Sequence, residues 1–577
     1  LGVLKAGGAY VPLDPNYQAE RLRYMLEDSQ VDLVLAHSEL VEKLTDSDSI
    51  AFCLDETQQI VSGEARNNIS ETVAPDNLAY IIYTSGSTGQ AKGVMIEHRS
   101  LVNAYFAWQD AYDLEHISSH LQLANFSFDV FTGDWVRSLC SGARLVLCPK
   151  DLLLDAERLH QFIQLHAIEA AEFSPPVLRY LVTYLQSIEQ NIEQKTEQTL
   201  SFMKLVVVGS DSVYWQDFEK LKSLCAADTR LINSYGLSEA TIDSTYFELD
   251  RSTKIEQAKG LLPIGRPFVN TQALILDADA QPVPVGITGE LYIGGVGIAR
   301  GYVNRPELTQ EKFVEIDSQT VYKTGDLARY GSNGRIELLG RSDSQIKLRG
   351  FRIELGEVEA AIKQHAAIGE AAVVVQSNDD NIQNLVAYVA PRLSAEPLDI
   401  ALLRTVLRNR LPGYMVPSHI VELGALPLLP NGKIDRRTLP MPDIFQRYPD
   451  TGFVAPRDRI EQQISNIWQS VLKLDTVGIH DNFFDLGGHS LLATQVIAQL
   501  REAVSVELPL RAMFESPTVA QIAEQVEAVC RQQIESAPAI TSVEHKGPLS
   551  LSYAQESLWF LNQLEDIGPT YNMPMPM

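Results

Sequence analysis

At 577 residues and roughly 150 residues per domain, the chain predicts about four folded units. Its 45% hydrophobic and 21% charged content is that of a globular protein, while a formal charge of -27 excludes a basic nucleic-acid surface and leaves any nucleotide to a local site. The five scattered cysteines, Cys53, Cys140, Cys148, Cys225 and Cys530, form no CxxC pair and fit a reducing cytoplasm without a disulfide framework or zinc site, and no apolar stretch predicts a membrane span or signal peptide.

In chain order, the opening LGVLKAGGAYVPLDP lacks an initiator methionine, and with the abrupt stop at NMPMPM it reads as part of an internal fragment of a longer protein. As far as about residue 340, apolar runs such as LAYIIYT (78–84), ARLVLC (143–148) and MKLVVVG (203–209) alternate with helical patterns such as AERLHQFIQLHA (156–167), which predicts parallel α/β layers. From about 344 to 440 the rhythm shortens to helix EVEAAIKQH, strands EAAVVVQ and NLVAYVA, and helix ALLRTVLRNRL, a small α+β unit. Residues 441–456, MPDIFQRYPDTGFVAP, carry the prolines and turn formers of a linker. Three helical patterns follow, RIEQQISNIWQSVLKL, SLLATQVIAQLREAV and TVAQIAEQVEAVCRQ, with Pro509 and Pro517 between the last two, and predict an all-α bundle over 457–532. Residues 533–548 read as a polar tether, and 549–577 are too few to fold alone.

Thr84 to Gly93 reads TSGSTGQAKG directly after an apolar strand. Its glycines allow close backbone approach to a ligand, and Ser85, Ser87, Thr88 and Lys92 offer donors and charge for phosphate oxygens. It is not a Walker A loop, since Ala91 stands where the second glycine belongs, and on its own a flexible Gly/Ser connection explains it equally. The same ambiguity holds for Asp326 in TGD, a turn former by itself, and for Lys433 in PNGK, a solvated turn lysine by itself. Ser490 in GGHSLL caps an apolar helical pattern, and the absence of a second glycine excludes a GxSxG nucleophile elbow.

Taken in order, LKAGGAYVPLDP, YTSGSTGQAKGVMIEH, NSYGLSEAT, GELYIGGVGIARGY, YKTGDLARY, GRSDSQIKLRGFRIELGEVE, LPGYMVP and NGKIDR resemble the adenylation domains of non-ribosomal peptide synthetases, within the superfamily of acyl-CoA ligases and luciferases. The resemblance spans residues 1–440 and implies two steps: an amino-acid carboxylate attacks ATP with release of pyrophosphate, and the aminoacyl adenylate then acylates a thiol. It implies a large α/β subdomain over 1–342, a hinge at Asp343 and a small α+β subdomain over 343–440 that rotates after adenylation, presenting the segment around Gly350. Thr84, Ser85, Gly86, Ser87, Thr88, Gly89 and Lys92 would then hold the ATP phosphates, and Glu239 would ligate Mg2+. Tyr235 and Gly236 would lie along the adenine, Asp326 would accept from the ribose with Arg341 beside it, and Lys433 would bridge the substrate carboxylate and the phosphate. Two departures, YGLSE for YGPTE and Ala91 for a proline, leave a hydroxyl at Ser238 and do not imply inactivity.

In FSFDVFTGDW the resemblance puts Asp129 at the α-ammonium of an amino acid, which separates this chain from ligases of fatty or aryl acids. Motif offsets add Val130, Gly133, Glu172, Val206, Val208, Ser234, Ile242 and Asp243, with Lys433 closing the pocket. Two buried acids need a partner, so a basic substrate is expected, ornithine or lysine first and arginine next. If Phe173 faced the pocket in place of Glu172, glutamine or serine would fit. DNFFDLGGHSLLATQV resembles a peptidyl carrier (thiolation) domain, in which Ser490 takes 4'-phosphopantetheine from a separate phosphopantetheinyl transferase. LSYAQESLWFLNQL resembles the start of a condensation domain without its HHxxxDG core, so neighbouring synthetase domains are the expected partners.

Overall fold

In the computed structural model the described residues are 1–41, 50–56, 73–86, 90–153, 155–191, 200–250, 260–343, 345–348, 351–377, 383–392, 398–428, 434–440 and 453–472, followed by 474–483, 486, 488, 490–504, 506, 508, 512–513 and 516–533. Lys433, Gly350, the expected tether over 534–548 and the condensation-like segment over 549–577 lie outside them, as does most of the first linker.

Strands β1 (Leu78–Thr84) and β2 (Lys92–Glu97) pair antiparallel, with Ile82 opposite Val94. This corrects the expectation that LAYIIYT joins a parallel layer: seven residues separate the strands, far fewer than the dozen or more a parallel crossover needs. The parallel layer itself is a seven-stranded sheet built from β3 (Ser119–Gln122), β4 (Arg144–Leu147), β5 (Ala170–Phe173), β6 (Leu205–Val208), β7 (Arg230–Tyr235), β8 (Thr245–Glu248) and β9 (Arg266–Pro267) in the order β9-β8-β7-β6-β5-β3-β4. Its first five members are parallel and the last two antiparallel. Residues 271–341 form a separate antiparallel sheet, so the α/β pattern expected as far as 340 covers only part of that span.

The middle of the seven-stranded sheet is buried on both faces. Ala170, Leu205, Val207 and Ile232 enter one core, while Ala171, Phe173, Val206, Val208 and Leu231 enter the other, the two-residue alternation of a strand. Helix α1 (Asp129–Cys140) follows β3 and packs on β3 and β4.

In the next region β10 (Gln345–Leu348) and β11 (Phe351–Glu354) form a hairpin that leads into α2 (Leu355–Lys363). Strands 368–377 and 383–391 and helix α3 (Ile400–Arg408) complete a small core around Ile353, Val358, Ile362 and Leu403. The helical region contributes α4 (Arg459–Leu472), α5 (Ser490–Val504) and α6 (Val519–Gln533). On α4 the residues Glu461, Ile464, Ser465 and Trp468 are buried at helical spacing, and Trp468 meets Phe483 edge-on at 4.9 Å. On α5 the buried stripe is Ala493, Val496, Ile497 and Leu500.

Candidate active site

Where β1 ends, Ser85 Oγ donates to the Arg352 carbonyl at 2.9 Å and the Gly86 N–H to Glu357 at 3.1 Å. A Cβ on Gly86 would lie 2.0 Å from the Gln90 carbonyl oxygen, so this turn admits only glycine. Among the described residues Thr84 Oγ1, buried there, has no partner, and Ser87, Thr88 and Gly89 lie outside those residues. Lys92 opens β2 and reaches Glu239 Oε1 at 3.1 Å and the Tyr302 hydroxyl at 3.0 Å. Glu239, fully buried, also accepts from Tyr302 at 2.8 Å and from Arg352 Nη1 at 2.6 Å. Burial alone would raise its pKa, but Arg352 and Lys92 outweigh burial and hold the carboxyl well below the usual range. Burial in turn pushes the Lys92 ammonium down. Glu239 is thus an ionised oxygen ligand of the kind Mg2+ takes, and the β10–β11 hairpin lays a competing cation, Arg352, on its second oxygen.

On the nucleoside side, Tyr235 at the end of β7 donates to Asp326 Oδ2 at 2.5 Å, and Arg341 donates to Asp326 Oδ1 at 2.6 Å. Arg341 also grips Asp343 at 2.7 and 2.8 Å, tying the expected ribose acceptor to the expected hinge residue. The Lys347 ammonium of β10 stands 5.2 Å from the centroid of the Tyr235 ring. Gly236 is irreplaceable sterically: a Cβ would fall 1.6 Å from the Ile242 carbonyl oxygen.

Asp129 is the first residue of α1, where the helix dipole favours an anion, and it accepts from Ser238 Oγ at 2.6 Å and from the Val130 backbone. One and two turns further along the same helix face come Gly133 and Arg137. Gly133 lets Arg137 and Ile242 approach the helix closely: a Cβ there would be 3.2 Å from Arg137 Nη2 and 3.5 Å from Ile242 Cγ2. Arg137 is buried against three carboxylates, with Glu172 Oε2 at 2.5 Å, Asp134 Oδ1 at 3.1 Å and Asp243 Oδ2 at 3.3 Å. Trp108 donates to Asp243 at 2.9 Å and turns its ring to the guanidinium at 4.9 Å. Burial, then Glu172, pushes Asp243 up to about 7, eased by hydrogen bonds from Ser234 and Trp108, while burial moves Asp134 to about 6.

Two sequence expectations change here. Val206 and Val208 lie on the far face of β6 with Phe173, whereas Val207 is paired with Glu172 and shares its face, so the residue of β6 beside Glu172 is Val207 and not Val206 or Val208. A Cβ on Gly209 would sit 2.6 Å from Ser234 Oγ and 3.1 Å from Glu172 Oε1, so this glycine also stands beside Glu172. Phe173, the alternative to Glu172, packs on the opposite side, in the core with Val206 and Val208. Sequence reasoning also missed Arg137, although its spacing of four and eight residues from Gly133 and Asp129 was a usable signal, and it missed Arg352. Ser490 is the first residue of α5; its side chain lies outside the description, as does His489.

Residues 1–303 match the model of the AMP-binding enzyme family, residues 357–433 that of the AMP-binding enzyme C-terminal domain, and residues 462–526 that of the phosphopantetheine attachment site. The chain belongs to the AMP-binding enzymes, as an adenylating ligase of the non-ribosomal peptide synthetase kind followed by a carrier domain. Over its whole length it is 42% identical to Gramicidin S synthase 2 of Brevibacillus brevis and 42% identical to Tyrocidine synthase 3 of Brevibacillus parabrevis, spanning 13% and 9% of those proteins. Its fold is similar, with a TM-score of 0.70 and 24% identity over 91% of this chain and 85% of the other, to a holo non-ribosomal peptide synthetase protein containing adenylation and PCP domains bound to a vinylsulfonamide inhibitor.

Proposed function

We propose that this adenylating ligase selects a basic amino acid, ornithine or lysine first and arginine next, activates it as the aminoacyl adenylate and loads it on phosphopantetheine at Ser490. The observation that carries the substrate class is charge balance: three buried carboxylates, Glu172, Asp134 and Asp243, face one guanidinium, Arg137, so the pocket has room for another cation. His120 nearby does not supply it, since burial and then Arg137 lower its pKa to about 4. Asp129 receives the α-ammonium, and Lys433 spans the substrate carboxylate and the α-phosphate. Glu239 and phosphate oxygens hold Mg2+, with the loop from Thr84 to Lys92 around the phosphates and Asp326 at the ribose. The small subdomain turns about Asp343 between the two half-reactions.

A phosphopantetheinyl transferase modifies Ser490, condensation domains of a longer cytoplasmic synthetase receive the thioester, and the whole protein builds a peptide. No described helix is long and apolar enough to cross a membrane. Amino-acid-dependent ATP/pyrophosphate exchange with ornithine, lysine, arginine and glutamine tests the reading, with the highest kcat/KM expected for ornithine or lysine. Exchange with glutamine alone would replace the basic assignment, and exchange with aryl or fatty acids alone would remove the amino-acid role of Asp129.

A further inference from the structure

Arg137 belongs to none of the sequence motifs, yet it is the centre of the buried charge cluster. Its Nη2 holds Glu172 Oε2 and Asp134 Oδ1, and its Nη1 holds Asp243 Oδ2. The grip leaves Glu172 Oε1 turned toward the notch made by the missing side chain of Gly209. Behind the guanidinium is a water-sized cavity lined by His120, Asp134, Ala170, Leu205 and Val207, and among the described residues His120 Nε2 and Asp134 Oδ2 are buried without a hydrogen-bond partner. The space behind Arg137 is therefore not fully packed.

We propose that Arg137 is the specificity-determining positioning residue of the amino-acid pocket: a built-in cation that pins the far oxygens of Glu172, Asp134 and Asp243 and presents Glu172 Oε1 to the side chain of the incoming amino acid. The inference rests on reading this pocket as the amino-acid site. Two consequences follow from charge and space. Without the guanidinium, the three carboxylates repel one another and take up protons, so no oriented acceptor remains. With it, the volume and hydrogen-bonding positions that a substrate guanidinium would need are already filled, which shortens the pocket and favours a compact ammonium over arginine.

The test is pyrophosphate exchange by the whole chain with Arg137→Gln and Arg137→Lys, with folding checked by thermal unfolding. The Gln variant is expected to raise the amino-acid KM roughly 10- to 100-fold, the effect of losing a charged buried hydrogen-bond donor, with the Lys variant between it and the parent. The KM for ATP stays unchanged in both, millimolar guanidinium chloride lowers the amino-acid KM of the Gln variant, and its preference shifts toward arginine. A parental amino-acid KM in a folded variant overturns the proposal, as does a parallel rise in both KM values without guanidinium rescue. If the Gln variant does not fold, the Lys variant decides by the same two KM values. If the parent chain exchanges only with a neutral amino acid, the basic assignment fails separately, and Arg137 is judged on the KM for that amino acid.

Discussion

Glu239 has two protein cations on it, and they come from different parts of the fold. Lys92 comes from β2, while Arg352 comes from the β10–β11 hairpin. Asp243 shows the opposite situation, an acid with too few cations. Its pKa of about 7 means that below neutrality the free pocket carries a proton which an incoming ammonium must displace. For the proposed basic substrate, affinity is expected above about pH 7 and is lost as pH falls, with the KM rising up to about tenfold per unit below that point. Asp243→Asn should move the loss of affinity to lower pH, where Asp134 at about 6 titrates, which a pH series of exchange kinetics checks. Lys433→Ala should lower adenylation by roughly 10²- to 10³-fold, measured by the same exchange, because it removes a cation aimed at developing charge.

At the scale of elements, β6 decides what the pocket wall is. LVVV is apolar at every position, as befits a strand buried on both faces, so hydrophobic alternation cannot say which valines face the substrate. The register with β5 puts Val207 beside Glu172, and so in the proposed pocket. Substitutions on the two faces should therefore separate cleanly. Val207→Leu should raise the amino-acid KM while leaving the ATP KM alone, and Val208→Ala should cost about 2 kcal/mol in denaturant unfolding with substrate preference retained. Helix α1 works in the same way, since one face carries Asp129, Gly133 and Arg137, so a single rigid element would set the anchor and floor of the proposed pocket.

At the scale of the whole molecule, the two half-reactions make different demands on the same residues. With Arg352 on Glu239 and Lys347 over Tyr235, the β10–β11 hairpin occupies the nucleotide side of the site. Arg352→Ala removes the buried ion pair to Glu239. It should reduce carrier loading, followed by intact mass after ATP and amino acid, more than it reduces pyrophosphate exchange. Ser490→Ala should leave exchange at the parental rate and abolish both pantetheinylation and loading, read as missing mass increments on the intact chain.

The amino-acid sequence by itself determined the organisation of this protein and its class of chemistry. Glycine-rich turns, capping patterns and motif order are local, and Gly86 and Gly236 show why: each is demanded by a steric contact with a carbonyl a few residues away. The carboxylates Asp129, Glu172 and Asp243 were legible through the motif offsets that the family resemblance implies. Their partners were not. That Arg137 joins residues from α1, β5 and the segment after β7 depends on contacts 35 and 106 residues apart. Whether Val206 or Val207 meets the substrate depends on hydrogen-bonded register between strands, which a uniformly apolar run leaves undetermined. Only the tertiary structure decided how many of the pocket's negative charges are already answered, because compensation of a buried charge is a property of what packs against it.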